Sequence, residues 1–168
     1  MNTKTPILTH AMTYAEMMEA CAAYVAVKRP KLREPLGVYR LLAPLCKESA
    51  QESFFVILLN TKSNVIGTPT EVTRGLLDAC PVHPREVFRQ AVAASAAAVI
   101  LAHNHPSGDP TPSREDIEVT RRLIEAGQIL GIPVFDHVVL GTAGAGDDTA
   151  AYVSLRERNL VNFTAKAK

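Results

Sequence analysis

"LAHNHPSGDPTPSRED", residues 101–116, decides how the rest of this chain is read. Two histidines stand two residues apart at the end of an apolar run, a turn rich in Pro, Gly and Asp follows, and a helix then begins. Side chains at i and i+2 of an extended segment point the same way, so His103 and His105 project together. A hydrogen-bonded structural role and metal ligation both fit such a pair, neutral imidazole being the commonest zinc ligand.

The following helix bears on that choice. Ser113 is a good N-cap residue, and Asp116, three residues on, completes a capping-box pattern. At about 100° per residue, Val119, Thr120, Leu123, Ile124, Ala126, Gly127 and Leu130 share one face of this helix. Arg114, Glu118, Arg121, Arg122 and Glu125 take the opposite face. Asp116 falls in the middle of the apolar face, where no Lys or Arg joins it. An inward carboxylate is costly unless paired or ligating. A metal held by His103, His105 and Asp116 would resolve that cost. Asp109 is the rival third ligand because it lies nearer the histidines, although turn chemistry alone explains it within "SGDP". Three protein ligands and an open fourth position are the pattern of catalytic rather than structural zinc. Such a site needs a carboxylate to accept a proton from water. Glu48, Glu52, Glu71 and Glu86 are the candidates, and Glu52 stands out because it directly precedes the most apolar strand, where a plain solvent-facing Glu fits equally well.

Outward from the motif, "AAVILA" reads as a buried strand feeding the histidines, and residues 113–130 as the helix just described. "IPVFDHVVLG" is a further strand, "TAGAGDDTA" a loop, and "YVSLRERNL" a short strand and a turn. Upstream, "SFFVILLN" is a continuous run of aromatic and branched residues, which implies burial on both faces. "TKSN" turns it into a partner strand, "VIGTPTEVTR". "HPREVFRQAVAASA" is a helix with Pro84 at its first position. "YAEMMEACAAYVAV" has helical composition. "LGVYRLLAPLCK" forms a second helix, bent or ended near Pro44. Strands alternating with helices give an α/β fold, and the short hairpin-like link after "SFFVILLN" requires a mixed rather than an all-parallel sheet.

The 168 residues suffice for one domain with a core, and a formal net charge of +1 carries none of the basic surplus of a typical nucleic-acid binder. The basic cluster "KRPKLR" (28–33) reads as a solvated connector, with phosphate binding the minority alternative. Cys21, Cys46 and Cys80 have neither zinc-finger nor redox spacing, so they read as buried reduced thiols in a cytoplasmic protein. No secretory signal or membrane-length apolar run is expected. Among the remaining histidines, His83 before Pro84 suits a structural role and His10 lies in a loose start. His137 suggests a buried hydrogen-bonded pair with Asp136 rather than a fourth metal ligand, with outer-shell support of a metal as a lesser alternative. The literal His-Asn-His tripeptide lacks the dispersed ββα context of an HNH nuclease.

The spacing His103-x-His105, seven residues, Ser113, two residues, Asp116 resembles the JAMM (MPN-plus) metalloprotease motif. The wider run from His83 to Gly141 looks like the RadC family of bacterial JAMM-domain proteins, and the likeness covers roughly residues 35–160. It implies a cytidine-deaminase-like α/β/α sandwich around a mixed sheet (the JAB/MPN fold), with one zinc ion on His103, His105 and Asp116. It further implies that Glu52 activates water and that Ser113 hydrogen-bonds a developing oxyanion. The implied function is zinc-dependent hydrolysis of a peptide or isopeptide bond.

On this reading residues 1–34 are an N-terminal helical extension, 35–163 the hydrolase domain and 164–168 a flexible tail. Longer RadC proteins carry a helix-hairpin-helix region ahead of this domain. Its signature is missing here, so a short stand-alone form such as mobile elements carry is expected. The 142–150 loop is longer than the turn expected between the last two strands. The expected partner is a protein or peptide substrate, a ubiquitin-like tail among the candidates. Nucleic acid is not favoured, a membrane is not expected, and a homo-oligomer is compatible with the chain. The competing functions are an accessory protein of DNA repair or a mobile element, and a catalytically silent scaffold.

Overall fold

In a computed structural model, residues 13–28, 30–46, 49–75, 82–142 and 151–164 are described. They form α1 (Tyr14–Lys28), α2 (Pro35–Cys46), β1 (Ser53–Leu59), β2 (Val65–Arg74), α3 (Pro84–Ala93), β3 (Ala98–Asn104), α4 (Arg114–Leu130), β4 (Val134–Leu140) and β5 (Tyr152–Ser154). The strands make one sheet in the order β2-β1-β3-β4-β5. Only β3 and β4 run parallel, joined through the crossover helix α4, so the sheet is mixed as expected.

Burial follows from the strand sequences. All seven residues of β1 and all seven of β3 are buried, as central strands covered on both faces must be. Alternation splits their side chains between two cores. Phe55, Ile57, Leu59, Ile100 and Ala102 pack with α2 residues Val38, Leu42 and Leu45. Phe54, Val56, Leu58, Val99 and Leu101 pack with Val87 and Phe88 of α3 and Leu123 and Ile124 of α4. The result is a three-layer α/β/α arrangement. At the sheet edge, β2 carries Pro69 and pairs only with β1, with two register shifts. An edge strand tolerates a residue without an N–H.

Pro44 lies inside α2, which ends two residues later at Cys46, and Leu41, Leu42 and Leu45 carry its buried face through that last turn. One reading needs correction. Leu130, placed on the apolar face of α4, is 49% exposed, since the helix has by then passed the end of its core. Cys21 and Cys46 are free and half-buried, whereas Cys80, His10, Glu48 and most of the 142–150 loop lie outside the described residues. No helix among the described residues is long and apolar enough to cross a membrane.

Candidate metal centre

Antiparallel pairing of β1 with β3 sets Phe54 opposite His103, so the start of one strand meets the end of the other. Glu52, just before β1, is thereby brought beside the histidines. Beyond Asn104 the chain keeps the sheet register for one more bond, from the His105 N–H to the Leu140 carbonyl at 2.8 Å. It then turns through Gly108, whose φ of +86° suits a residue without a Cβ, toward the start of α4.

Ser113 caps α4. Its Oγ accepts from the Asp116 N–H at 3.1 Å, while its own N–H and hydroxyl each donate to Asp116 Oδ2 at 2.7 Å. The capping box fixes the inward direction of this carboxylate, which is 3% exposed. Asp116 Oδ1 lies 3.2 Å from His103 Nε2 and Oδ2 lies 3.5 Å from His105 Nε2. The two Nε2 atoms are 3.0 Å apart. Glu52 Oε1 stands 3.7 Å from one and 3.9 Å from the other. One donor atom from each of Glu52, His103, His105 and Asp116 thus falls within 4.8 Å of all the others.

These distances suit a small cation. At zinc–ligand lengths of about 2.0–2.2 Å, tetrahedral ligand atoms lie roughly 3.3–3.6 Å apart, close to the His–His–Asp triangle found here. Glu52 stands just outside that triangle. The His103 side chain and Asp116 are sealed, whereas Glu52 and His105 keep 16% and 18% side-chain exposure, so the centre opens on their side. Burial pushes the Asp116 carboxyl upward. The His103 and His105 imidazoles beside it, together with Ser113, outweigh that and hold it well below the usual carboxylate range. The Asp116 carboxylate in turn raises the His105 imidazole, against an opposing effect of burial.

The rival carboxylates are engaged elsewhere. Asp109 is exposed, its carboxylate accepts from the Thr111 N–H, and only its carbonyl serves the centre by accepting from His105 Nδ1 at 2.7 Å. Glu71 on β2 accepts from Arg74 Nε and from the Tyr14 hydroxyl, each at 2.7 Å. Glu86 pairs with Arg85 and Arg89 on α3. His83 is the N-cap of α3, its Nδ1 accepting from the Arg85 N–H.

His137 requires a correction. Its ring does not pair with the Asp136 side chain, because neighbours in a strand face opposite sides of the sheet. Asp136 accepts from the His137 backbone N–H and from the Ser154 hydroxyl, each at 2.7 Å. The His137 ring instead bonds His103 Nδ1 at 2.8 Å and Thr120 Oγ1 at 2.5 Å. Complete burial keeps this imidazole well below its ordinary pKa.

Three supporting groups escaped the sequence reading. Thr120 lies one helical turn after Asp116 on the same face, which was the available signal. Asn104, set aside with the His-Asn-His tripeptide, accepts from the Ser53 N–H at 2.9 Å and donates to the Gln51 carbonyl at 3.2 Å. It therefore grips Glu52 from both sides. Gly141 packs so closely on the His105 loop that a Cβ there would sit 2.3 Å from the Gly108 oxygen. Nothing local in the sequence announces that contact.

A family described as RadC-like JAB domain matches residues 32–160. Similar proteins include a UPF0758 protein of Symbiobacterium thermophilum, 51% identical over 140 residues, covering 83% of this chain and 56% of the relative. A UPF0758 protein of Moorella thermoacetica is 47% identical over 146 residues, covering 87% of this chain and 60% of the relative. One from Methanosarcina mazei is 41% identical with the same coverage of 87% and 60%. The chain spans little more than half the length of these curated relatives. The five-stranded mixed sheet agrees with the JAB/MPN fold that the motif implied.

Proposed function

The chain belongs to the RadC-like JAB domain family, and on that footing we propose that it is a zinc-dependent hydrolase of peptide or isopeptide bonds. The observation that carries this reading is the convergence of Glu52, His103, His105 and Asp116 at one partly open point. His103, His105 and Asp116 would hold the ion. When bound, zinc supplies Lewis-acid polarisation of the scissile carbonyl and makes water more acidic.

The chain's own residues do the rest. Glu52, on the open side, accepts a proton from the attacking water and delivers it to the departing amine. Asn104 keeps Glu52 within reach of that water. Ser113 turns its hydroxyl about Cβ–Oγ from Asp116 toward the oxygen that gains charge. The substrate is then a protein or peptide in the cytoplasm, a ubiquitin-like tail included.

The test is cleavage of fluorogenic peptides and of peptides linked through a lysine ε-amide, using zinc-loaded protein. Glu52→Gln is expected to keep zinc and lose hydrolysis by about 10²- to 10⁴-fold. Full activity in that variant removes Glu52 as the base. No cleavage of any amide by zinc-loaded wild type removes the hydrolase reading.

A further inference from the structure

Behind His103 runs a chain of hydrogen bonds whose direction is fixed by where it ends. Thr120 Oγ1 lies 2.6 Å from the backbone oxygen of Asp116. Two oxygens at that separation share a proton, and a carbonyl has none to give. Thr120 therefore donates its single hydroxyl proton there and has only a lone pair to offer His137 Nδ1, 2.5 Å away. His137 must carry its proton on Nδ1. That ring is fully buried, and no carboxylate oxygen is among its bonding partners. A second proton, and with it a charge, would be costly. Its Nε2 is consequently an acceptor, and the 2.8 Å bond to His103 Nδ1 is donated by His103. The proton of neutral His103 is thus held at the back of the ring, and Nε2 faces Glu52 and Asp116 as a lone pair.

We propose that Thr120 and His137 are positioning residues that lock His103 as its Nδ1-protonated tautomer and so present Nε2 to a divalent cation. This rests on the metal-centre reading above and adds the origin of the ligand's form. His105 is served more simply, since its Nδ1 donates to the Asp109 carbonyl. In their neutral forms, rings held this way turn two lone pairs toward each other across 3.0 Å, beside the Asp116 carboxylate. Such a cluster of acceptors is favourable around a cation and repulsive without one. Because the relay starts from a carbonyl inside the first turns of α4, the same helix sets both Asp116 and the tautomer of His103.

The experiment has two arms. In metal-free wild type, long-range proton–nitrogen NMR of the imidazoles reports which ring nitrogen carries hydrogen. His103 and His137 are both expected to be protonated at Nδ1; either one protonated at Nε2 overturns the relay. The second arm measures affinity for Zn²⁺ alone by competition with a chelator. Thr120→Val removes the acceptor and is expected to weaken zinc on the order of ten- to a hundredfold. Thr120→Ser, which keeps a hydroxyl, is expected to restore the wild-type value. Unchanged zinc affinity in Thr120→Val overturns the proposal, as does failure of Thr120→Ser to restore it. Should wild type bind no zinc, the hydrolase reading falls, while the tautomer measurement on the same protein still decides the relay.

Discussion

Ser113 joins two tasks in one side chain. Its oxygen caps α4 while its N–H and hydroxyl hold Asp116 Oδ2, so the helix start and the proposed ligand carboxylate depend on the same residue. Ser113→Ala should cost about 1 kcal/mol of stability through the lost cap, read by urea unfolding. It should also lower turnover by more than that stability loss explains, because the hydroxyl proposed to turn toward the oxyanion is gone. Activity equal to wild type would confine Ser113 to capping. At this scale the sequence was unusually legible. Asp116 announced itself as an acid on an apolar face with no basic neighbour, and it is 3% exposed. Adjacency in sequence points His137 to Asp136, a ring partner that strand alternation forbids. Its true partners, His103 on β3 and Thr120 on α4, are 34 and 17 residues away.

Among the elements, two glycines separate packing from site support. A Cβ on Gly127 of α4 would meet the Ile132 oxygen at 2.5 Å and the Phe88 ring at 3.0 Å. The usual helical gain of Gly→Ala is therefore reversed, and Gly127→Ala should destabilise by roughly 1–3 kcal/mol with zinc affinity unchanged. A Cβ on Gly141 would press on Gly108 O at 2.3 Å and Pro110 Cδ at 2.7 Å, inside the loop that aims His105. Gly141→Ala should weaken zinc on the order of tenfold or more. Equal zinc affinities in the two variants would show that the loop yields without moving the ligand. Strands and helices were readable from runs, alternation and caps, because these are local signals. The approach of Gly141 to Gly108 is a contact between distant loops, and only assembly of β3 beside β4 creates it.

For the molecule as a whole, the centre lies where the layers meet. Glu52 enters from the start of β1, His103 and His105 from the end of β3, and Asp116 from the first turn of α4. A cation bound there ties the sheet to the helical layer and has no equivalent site in the unfolded chain, where these residues are up to 64 positions apart. Binding to the folded state alone adds RT ln(1 + [L]/Kd), about 2.7 kcal/mol when free metal is a hundred times Kd. In a domain of this size that corresponds to a rise in Tm of roughly 5–10 °C. Zinc should therefore raise the melting temperature of wild type by this amount, and a chelator should reverse the rise. His103→Ala, lacking the most buried of the proposed ligands, should melt at one temperature with or without metal. Thr120→Val should fall between them, following its weaker affinity. A zinc response that survived in His103→Ala would place the bound ion elsewhere on the protein, because the wild-type shift is expected to run through that one imidazole.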